Sequence, residues 1–102
     1  QMHAGIDIAA NAGKEIIAPG DGLVTFASTR GAYGNVIIID HGHNVTTLYG
    51  HLQEFAVKPG DKVKRGTLIG RIGNTGRSTG PHLHYEIRIN GVPQNPDRFI
   101  LE

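Results

Sequence analysis

An alternating run near the end of the chain is the feature that most constrains its fold. Polar and apolar side chains alternate through residues 82–89, His-Leu-His-Tyr-Glu-Ile-Arg-Ile, directly after a glycine-rich stretch at residues 73–81. This pattern predicts a half-buried β-strand, because successive side chains on a strand point to opposite faces. His82 and His84 therefore share a face, roughly 6–7 Å apart along the strand. Imidazole binds zinc and transfers protons near neutral pH, so the pair suits metal binding, catalysis or one of each.

Further strand signals follow one another through the rest of the chain. Residues 23–27, 36–40 and 44–51 are rich in strand-forming side chains, and residues 57–63 and 66–72 are bounded by turn residues. The 15 glycines, the 6% of aromatic residues and the lack of helical spacing favour short strands joined by tight turns. The 102 residues are enough for a single hydrophobic core. The sequence therefore predicts one all-β domain, a compact antiparallel β-sheet or sandwich with short hairpins.

Composition excludes several classes of protein. The net charge is +1 and the lysines and arginines are scattered, so no basic stripe indicates a nucleic-acid partner. No apolar run approaches the roughly 20 residues of a transmembrane helix, so we do not expect this domain to span a membrane. The chain has no cysteine, which excludes a structural zinc site built from thiolates. Because a candidate metal ligand stands only two residues from its start, we expect the chain to be a piece of a longer protein with additional domains.

Other residues can complete a metal site with the histidines of the alternating run. His3 and Asp7 are four residues apart, a spacing that keeps both side chains on one face of an extended segment. With one strand histidine they form three ligands, the number that leaves a catalytic zinc its open position. Alternation through residues 45–51 places His51 at the end of a strand, on the face of Tyr49. A second His-x-His at residues 41–43 lies at a polar hairpin tip, where we expect solvent-exposed side chains with no role in a site.

The glycine-rich stretch suits a binding cleft. Glycines let the backbone approach a ligand closely, and short polar side chains can hydrogen-bond an extended peptide. The side chains predicted to bind substrate in this way are Asn74, Thr75, Ser78 and Thr79. Glu86 shares the face of His82 and His84 and is a candidate general base, but its distance along the strand favours a supporting hydrogen bond or a salt bridge.

In combination these segments resemble the lysostaphin-type (LytM-type) zinc metallopeptidases, which cut peptide bridges in bacterial peptidoglycan. The resemblance covers nearly the whole chain, in the family's order. It is carried by His3-x-x-x-Asp7, by Tyr-Gly-His-Leu at residues 49–52, by the Gly/Thr/Ser-rich residues 70–81 and by His-Leu-His-Tyr-Glu-Ile at residues 82–87. Carried over position by position, the family's roles make His3, Asp7 and His84 the ligands of one zinc ion. They make His51 and His82 catalytic histidines that do not bind the metal, and none of the five residues is replaced.

The resemblance also implies a function and a place. It implies a zinc-dependent endopeptidase that hydrolyses peptide cross-links of peptidoglycan through a metal-activated water, in the cell envelope, either periplasmic or extracellular. It leaves open whether the bond is a D-alanyl cross-link or a glycyl-glycine bond, and which of His51 and His82 plays which role. Its physical basis is sound, because zinc lowers the pKa of bound water to about 7 and polarises a carbonyl.

Two alternatives come from other classes of protein. One is a non-catalytic peptidoglycan-binding or hydrolase-regulating domain on the same fold, against which the intact set of five residues argues. The other is a biotinyl- or lipoyl-like carrier, suggested by the turn pattern of residues 57–66. In a carrier the modified lysine stands at an exposed hairpin tip, whereas Lys62 falls within a predicted strand. A carrier also gives no reason for the histidines.

Overall fold

A computed structural model describes residues 5–94 as an antiparallel β-fold, which confirms the predicted all-β class. A short 3-10 turn at Gly31–Tyr33 joins the third strand to the fourth. Within the described residues no helix is long and apolar enough to cross a membrane. The strands are β1 (Ile6–Ala9), β2 (Glu15–Ile17), β3 (Gly22–Thr29), β4 (Asn35–Asp40), β5 (Val45–Phe55), β6 (Lys62–Val63), β7 (Leu68–Ile72), β8 (His82–Ile89) and β9 (Val92–Pro93).

The strands form one branched sheet. Six of them lie in the order β1-β8-β5-β4-β3-β6, while β7 pairs with both β5 and β2, and β9 pairs with β8. The longest strand, β5, has 11 residues, and its residues 46–52 pair with β4. On its other edge the first part of β5 pairs with β8 and the last part with β7. The middle of β5 therefore lies where these two pairings meet.

The core lies on one face of the central strands. Val36, Ile37 and Ile39 of β4 are buried and Ile38 is half-buried, as the sequence predicts for a strand covered by other elements. On β8, Leu83 and Ile87 are buried, with Leu83 in the central core cluster. Because side chains alternate, the polar set His82, His84, Glu86 and Arg88 faces the opposite side of the same strand. β8 thus connects the core to the region of the predicted site.

Two sequence predictions of strands differ from the structure. β5 continues to Phe55, so His51 lies inside the strand and not at its end. The predicted strand at residues 57–63 is reduced to the two residues of β6, because its first part forms a turn. In that turn the Asp61 carboxylate accepts a hydrogen bond of 3.0 Å from the Lys58 backbone N–H, and Gly60 has a φ of +96°.

Candidate active site

The predicted histidines and aspartate that the structure describes line one cleft. Asp7 comes from β1, His51 from β5, and His82 and His84 from β8. In the antiparallel pairing of β1 with β8, Asp7 lies directly opposite His84, so the two side chains share a face. The ring centroids of His51 and His82 are 4.5 Å apart, and those of His51 and His84 are 6.2 Å apart. The sheet thus brings residues that are distant in sequence into one constellation.

The two ring nitrogens of His84 face two different carboxylates. Nδ1 lies 2.8 Å from Oδ1 of Asp7, and Nε2 lies 2.7 Å from Oε2 of Glu86. The hydrogen bond to Glu86 raises the pKa of His84; burial opposes this shift, and the hydrogen bond to Asp7 adds to it. The bond to His84 in turn lowers the pKa of the Asp7 carboxyl. At neutral pH the ionised carboxylate of Asp7 therefore faces an imidazole nitrogen of His84 beside the cleft.

Glu86 is fully buried, and both of its carboxylate oxygens have partners. The Tyr33 hydroxyl donates to Oε2 at 2.8 Å, while Arg88 contacts Oε1 through Nε at 2.7 Å and through a terminal nitrogen at 2.6 Å. Burial alone would raise the pKa of Glu86, but hydrogen bonds from His84, Tyr33 and Arg88 outweigh burial and lower it. Glu86 therefore holds its neighbours in place and does not line the cleft, which agrees with the supporting hydrogen bond and salt bridge expected from the sequence.

His51 reaches the cleft through an irregularity in β5. Strict alternation places it on the face of Tyr49, which packs in the core, and this sequence prediction is wrong. Between Tyr49 and Leu52, β5 has one more residue than the facing segment of β4. At this β-bulge His51 adopts a φ of +65°, unusual for a residue with a side chain. Bulges re-aim side chains, and this one turns His51 towards His82.

His51 and His82 are held differently from His84. Nδ1 of His51 lies 2.6 Å from the Thr75 carbonyl oxygen, and Nδ1 of His82 lies 2.9 Å from the Gly80 carbonyl oxygen. Because a carbonyl only accepts hydrogen bonds, Nδ1 carries the proton in both rings, and in the neutral ring Nε2 is the basic nitrogen. Nε2 of His82 lies 3.6 Å from Oδ1 of Asp7.

The four polar residues predicted to bind substrate occupy different positions. Ser78 and Thr79 line the cleft, and the Ser78 hydroxyl donates to a carbonyl of its own loop at 2.8 Å. Thr75 is half-buried, and its hydroxyl donates to the Leu52 carbonyl at 2.7 Å. Asn74 is exposed and is not among the residues that line this cleft. Ser78 and Thr79 are thus the two of the four that line the cleft together with the histidines.

The predicted ligand His3 lies outside the described residues. Among residues 5–94, no group of three or more histidine, cysteine, aspartate or glutamate side chains is placed to hold a metal ion. Asp7 and His84 supply an adjacent pair of the donor types that zinc takes, carboxylate oxygen and imidazole nitrogen. The three-ligand set His3, Asp7 and His84 stays a prediction.

The second His-x-His pair has no part in the cleft. His43 is exposed at the tip of the β4–β5 hairpin. The ring of His41 joins two parts of the fold, with Nδ1 2.8 Å from the Asp21 carbonyl oxygen and Nε2 2.7 Å from the Thr47 hydroxyl. His43 is therefore solvent-exposed as expected, whereas His41 is a half-buried structural residue.

Three residues near the histidines were missed from the sequence. Tyr33 and Arg77 line the cleft, and Arg88 pairs with Glu86. The alternation of β8 carries a signal for Arg88, since it continues the face of His82, His84 and Glu86. For Tyr33 the signal is weaker, a single large aromatic side chain in the glycine-rich residues 31–34.

Comparison with known proteins shows the family to which the chain is similar. The sequence profile of Peptidase family M23 matches residues 1–96. The chain is 52% identical over 96 residues to the DD-carboxypeptidase/endopeptidase Mpg of Neisseria meningitidis, covering 94% of the chain and 22% of that protein. It is 48% identical over 96 residues to the peptidoglycan DD-endopeptidase ShyC of Vibrio cholerae, with the same two coverages. The chain thus spans about a fifth of the length of these relatives.

Solved structures share the fold over almost the whole chain. The catalytic domain of lysostaphin from Staphylococcus simulans superposes with a TM-score of 0.92 at 34% identity, covering 99% of this chain and 80% of that one. A zinc-containing peptidase from Vibrio cholerae superposes with a TM-score of 0.87 at 40% identity, covering 90% of this chain and 28% of that one. These matches confirm the resemblance to lysostaphin-type peptidases. From its profile match, its relatives and its fold, the chain belongs to peptidase family M23.

Proposed function

We propose that this domain is a zinc-dependent endopeptidase that hydrolyses peptide cross-links of bacterial peptidoglycan. The observation that carries the proposal is the different way in which three neighbouring histidines are held. His84 points Nδ1 at an ionised carboxylate, whereas His51 and His82 have their Nδ1 atoms tied to backbone carbonyls. The first arrangement suits a metal ligand, and the second suits groups that exchange protons through Nε2.

The two proposed ligands that lie within the described residues, Asp7 and His84, are suited to bind a zinc ion. Asp7 and His84 are 2.8 Å apart, and Asp7 comes from β1, the strand that directly follows His3 in sequence. The carboxylate of Glu86 accepts from Nε2 of His84, the contact to an outer carboxylate that zinc-binding histidines commonly make. In the proposed site His3, Asp7 and His84 would hold the metal.

The proposed mechanism divides the work between the metal and the two other histidines. A bound zinc ion supplies Lewis acidity: it polarises the scissile carbonyl and lowers the pKa of an attacking water to about 7. His51 and His82 present Nε2 to the cleft, where one can accept a proton as the bond to the carbonyl carbon forms. The other can protonate the leaving amine or stabilise the developing oxyanion. Glu86 is not the general base in this scheme, because its carboxylate is buried and paired with Arg88.

The proposed substrate is an extended peptide of peptidoglycan. Two relatives are named as enzymes that act on DD bonds, one of them on peptidoglycan. Ser78 and Thr79 offer short polar groups in the cleft wall, and Asn74 and Thr75 belong to the same loop. Such a substrate places the protein in the cell envelope, and the longer relatives make further domains in the whole protein part of the proposal.

Digestion of purified sacculi tests the proposed function. We expect the zinc-loaded protein to release uncross-linked peptides, identified by mass, with no new reducing sugar ends. Reducing ends without peptide cleavage would refute it. Binding to sacculi with no cleavage by the zinc-loaded protein would favour the alternative, a non-catalytic peptidoglycan-binding or hydrolase-regulating domain on this fold.

A further inference from the structure

Arg77 is a positively charged residue of the cleft that makes no ion pair with any other residue of the described range 5–94. Two other arginines are paired: Arg71 contacts two glutamates, and Arg88 pairs with Glu86. Arg77 is exposed and lines the cleft, and within residues 5–94 no carboxylate lies within ion-pair distance of its side chain. An unpaired arginine beside catalytic groups is available to a ligand.

The backbone beneath Arg77 is fixed, so its side chain starts from a defined point. The Arg77 N–H donates to the Ala32 carbonyl at 2.8 Å. Its neighbour Gly76 packs so closely on Gly34 that a Cβ at Gly76 would stand 2.3 Å from the Gly34 nitrogen. The next residue, Ser78, has its hydroxyl oxygen 3.1 Å from Nδ1 of His82. Arg77 is thus anchored one residue away from a contact with a proposed catalytic histidine.

The acidic residues of the site face other partners, so Arg77 can bind a charged group of the substrate. Asp7 is the acidic residue that lines the cleft, and its carboxylate faces His84 in the proposed metal site. Glu86 is buried behind them and neutralised by Arg88. The planar guanidinium group pairs with a carboxylate through two parallel hydrogen bonds, which makes Arg77 suited to a carboxylate on the substrate.

We propose that Arg77 is a specificity residue that binds a substrate carboxylate next to the scissile bond, an inference that rests on the proposed function. In a DD bond the carbon that carries the scissile nitrogen also carries a free carboxylate. This holds for a terminal D-residue and for a cross-link to the D-centre of a diamino diacid. The internal bonds of a glycyl-glycine bridge offer no such group. Arg77 therefore favours the D-alanyl type of bond over the glycyl-glycine type.

Two cross-linked peptide dimers test this role. In one dimer the carboxylate beside the scissile amide is free, and in the other it is converted to a carboxamide. We expect the zinc-loaded wild-type protein to prefer the free carboxylate. Arg77→Gln should lower kcat/KM on that dimer about 10- to 100-fold, mainly through KM, the scale of a lost hydrogen bond to a charged group. Arg77→Lys, which keeps the charge, should recover part of the loss.

The controls separate this inference from the proposed function. Arg77→Gln should leave the zinc content unchanged, and it should lower the cleavage of the carboxamide dimer much less than that of the free-carboxylate dimer. Arg65→Gln changes an exposed arginine outside the cleft and should affect neither substrate. An equal loss on both dimers, or no loss, would overturn the role of Arg77 while leaving the endopeptidase intact. Cleavage of neither dimer by the wild-type protein would refute the proposed function, and the role of Arg77 with it.

Discussion

At the scale of single residues, the proposed site divides its histidines by what holds each ring. If His84 and Asp7 bind zinc, replacing either with alanine removes one of three ligands. We predict that Asp7→Ala and His84→Ala proteins lose most of their zinc, measured by elemental analysis after dialysis. Full zinc occupancy in both variants would contradict the ligand assignment.

The matched variants of the other two histidines separate chemistry from metal binding. His51→Ala and His82→Ala should keep their zinc, because neither histidine is a proposed ligand. In the wild-type protein their Nδ1 atoms are hydrogen-bonded to the carbonyls of Thr75 and Gly80. Endopeptidase activity should fall by about 10² or more, the scale of a lost acid–base or oxyanion group. Loss of zinc from His82→Ala would mean that the roles of His82 and His84 are reversed.

Glu86 acts on the metal only through His84, and a variant can isolate that contribution. Glu86→Gln removes the negative charge of the carboxylate that accepts a hydrogen bond from Nε2 of His84 and pairs with Arg88. We predict zinc affinity lower by about 10- to 100-fold, the usual effect of losing an outer partner of a ligand, measured by competition with a chelator. Tyr33→Phe, which removes one hydrogen bond to Glu86, should have a smaller effect.

An exposed glutamate provides the control for this change. Glu54 lies 3.9 Å from Arg71 with 58% of its side chain exposed, so Glu54→Gln should leave zinc affinity unchanged. Equal affinities for the wild-type and Glu86→Gln proteins would show that Glu86 serves the fold alone.

At the scale of elements, the alternation of polar and apolar side chains correctly predicted a regular strand. It located β8 within its observed bounds and placed His82 and His84 on one face. It placed His51 on the core face, because a period of two residues assumes that the pairing with β4 has no irregularity. The bulge and the positive φ of His51 depend on contacts with β4 and with the Thr75 carbonyl. Such long-range contacts leave no periodic signal in the sequence.

The loop before β8 shows the same limit. The glycines of residues 73–81 indicated a cleft, but not which of them meets another backbone. The structure shows that Gly76, with a φ of +75°, packs against Gly34, the residue directly before β4. This contact holds the loop that supplies the carbonyl of Thr75 to His51. Only the folded arrangement distinguishes Gly76 from its neighbouring glycines.

A pair of alanine substitutions tests that contact. Gly76→Ala places a Cβ against the Gly34 backbone at an unfavourable φ, and should lower the free energy of unfolding by about 2 kcal/mol or more. Gly80→Ala is the matched control, because a Cβ there meets no atom within 4 Å. Chemical denaturation of both proteins measures the difference. Equal stabilities would contradict the packing of this loop on β4.

At the scale of the whole molecule, the proposed zinc site lies at one edge of the sheet. β1 is the first strand in the order and β6 the last. Three of the four residues of β1 are exposed, and among the described strands β1 pairs with β8. An exposed edge strand opens more readily than a central one. If Asp7 and His84 bind one metal ion, zinc ties this edge to β8.

Hydrogen exchange can detect that tie. Any opening of β1 that separates Asp7 from His84 must release zinc, which costs a further ~2.7 kcal/mol when free zinc is 100 times its Kd. We predict that exchange at the paired amides of β1 slows by about 100-fold on adding zinc to the apo protein. Local opening of β6, at the other edge, separates no proposed zinc ligands, so zinc should leave the exchange rate of its amides unchanged. In Asp7→Ala zinc should protect neither edge, whereas equal slowing of β1 and β6 in the wild-type protein would place the metal elsewhere.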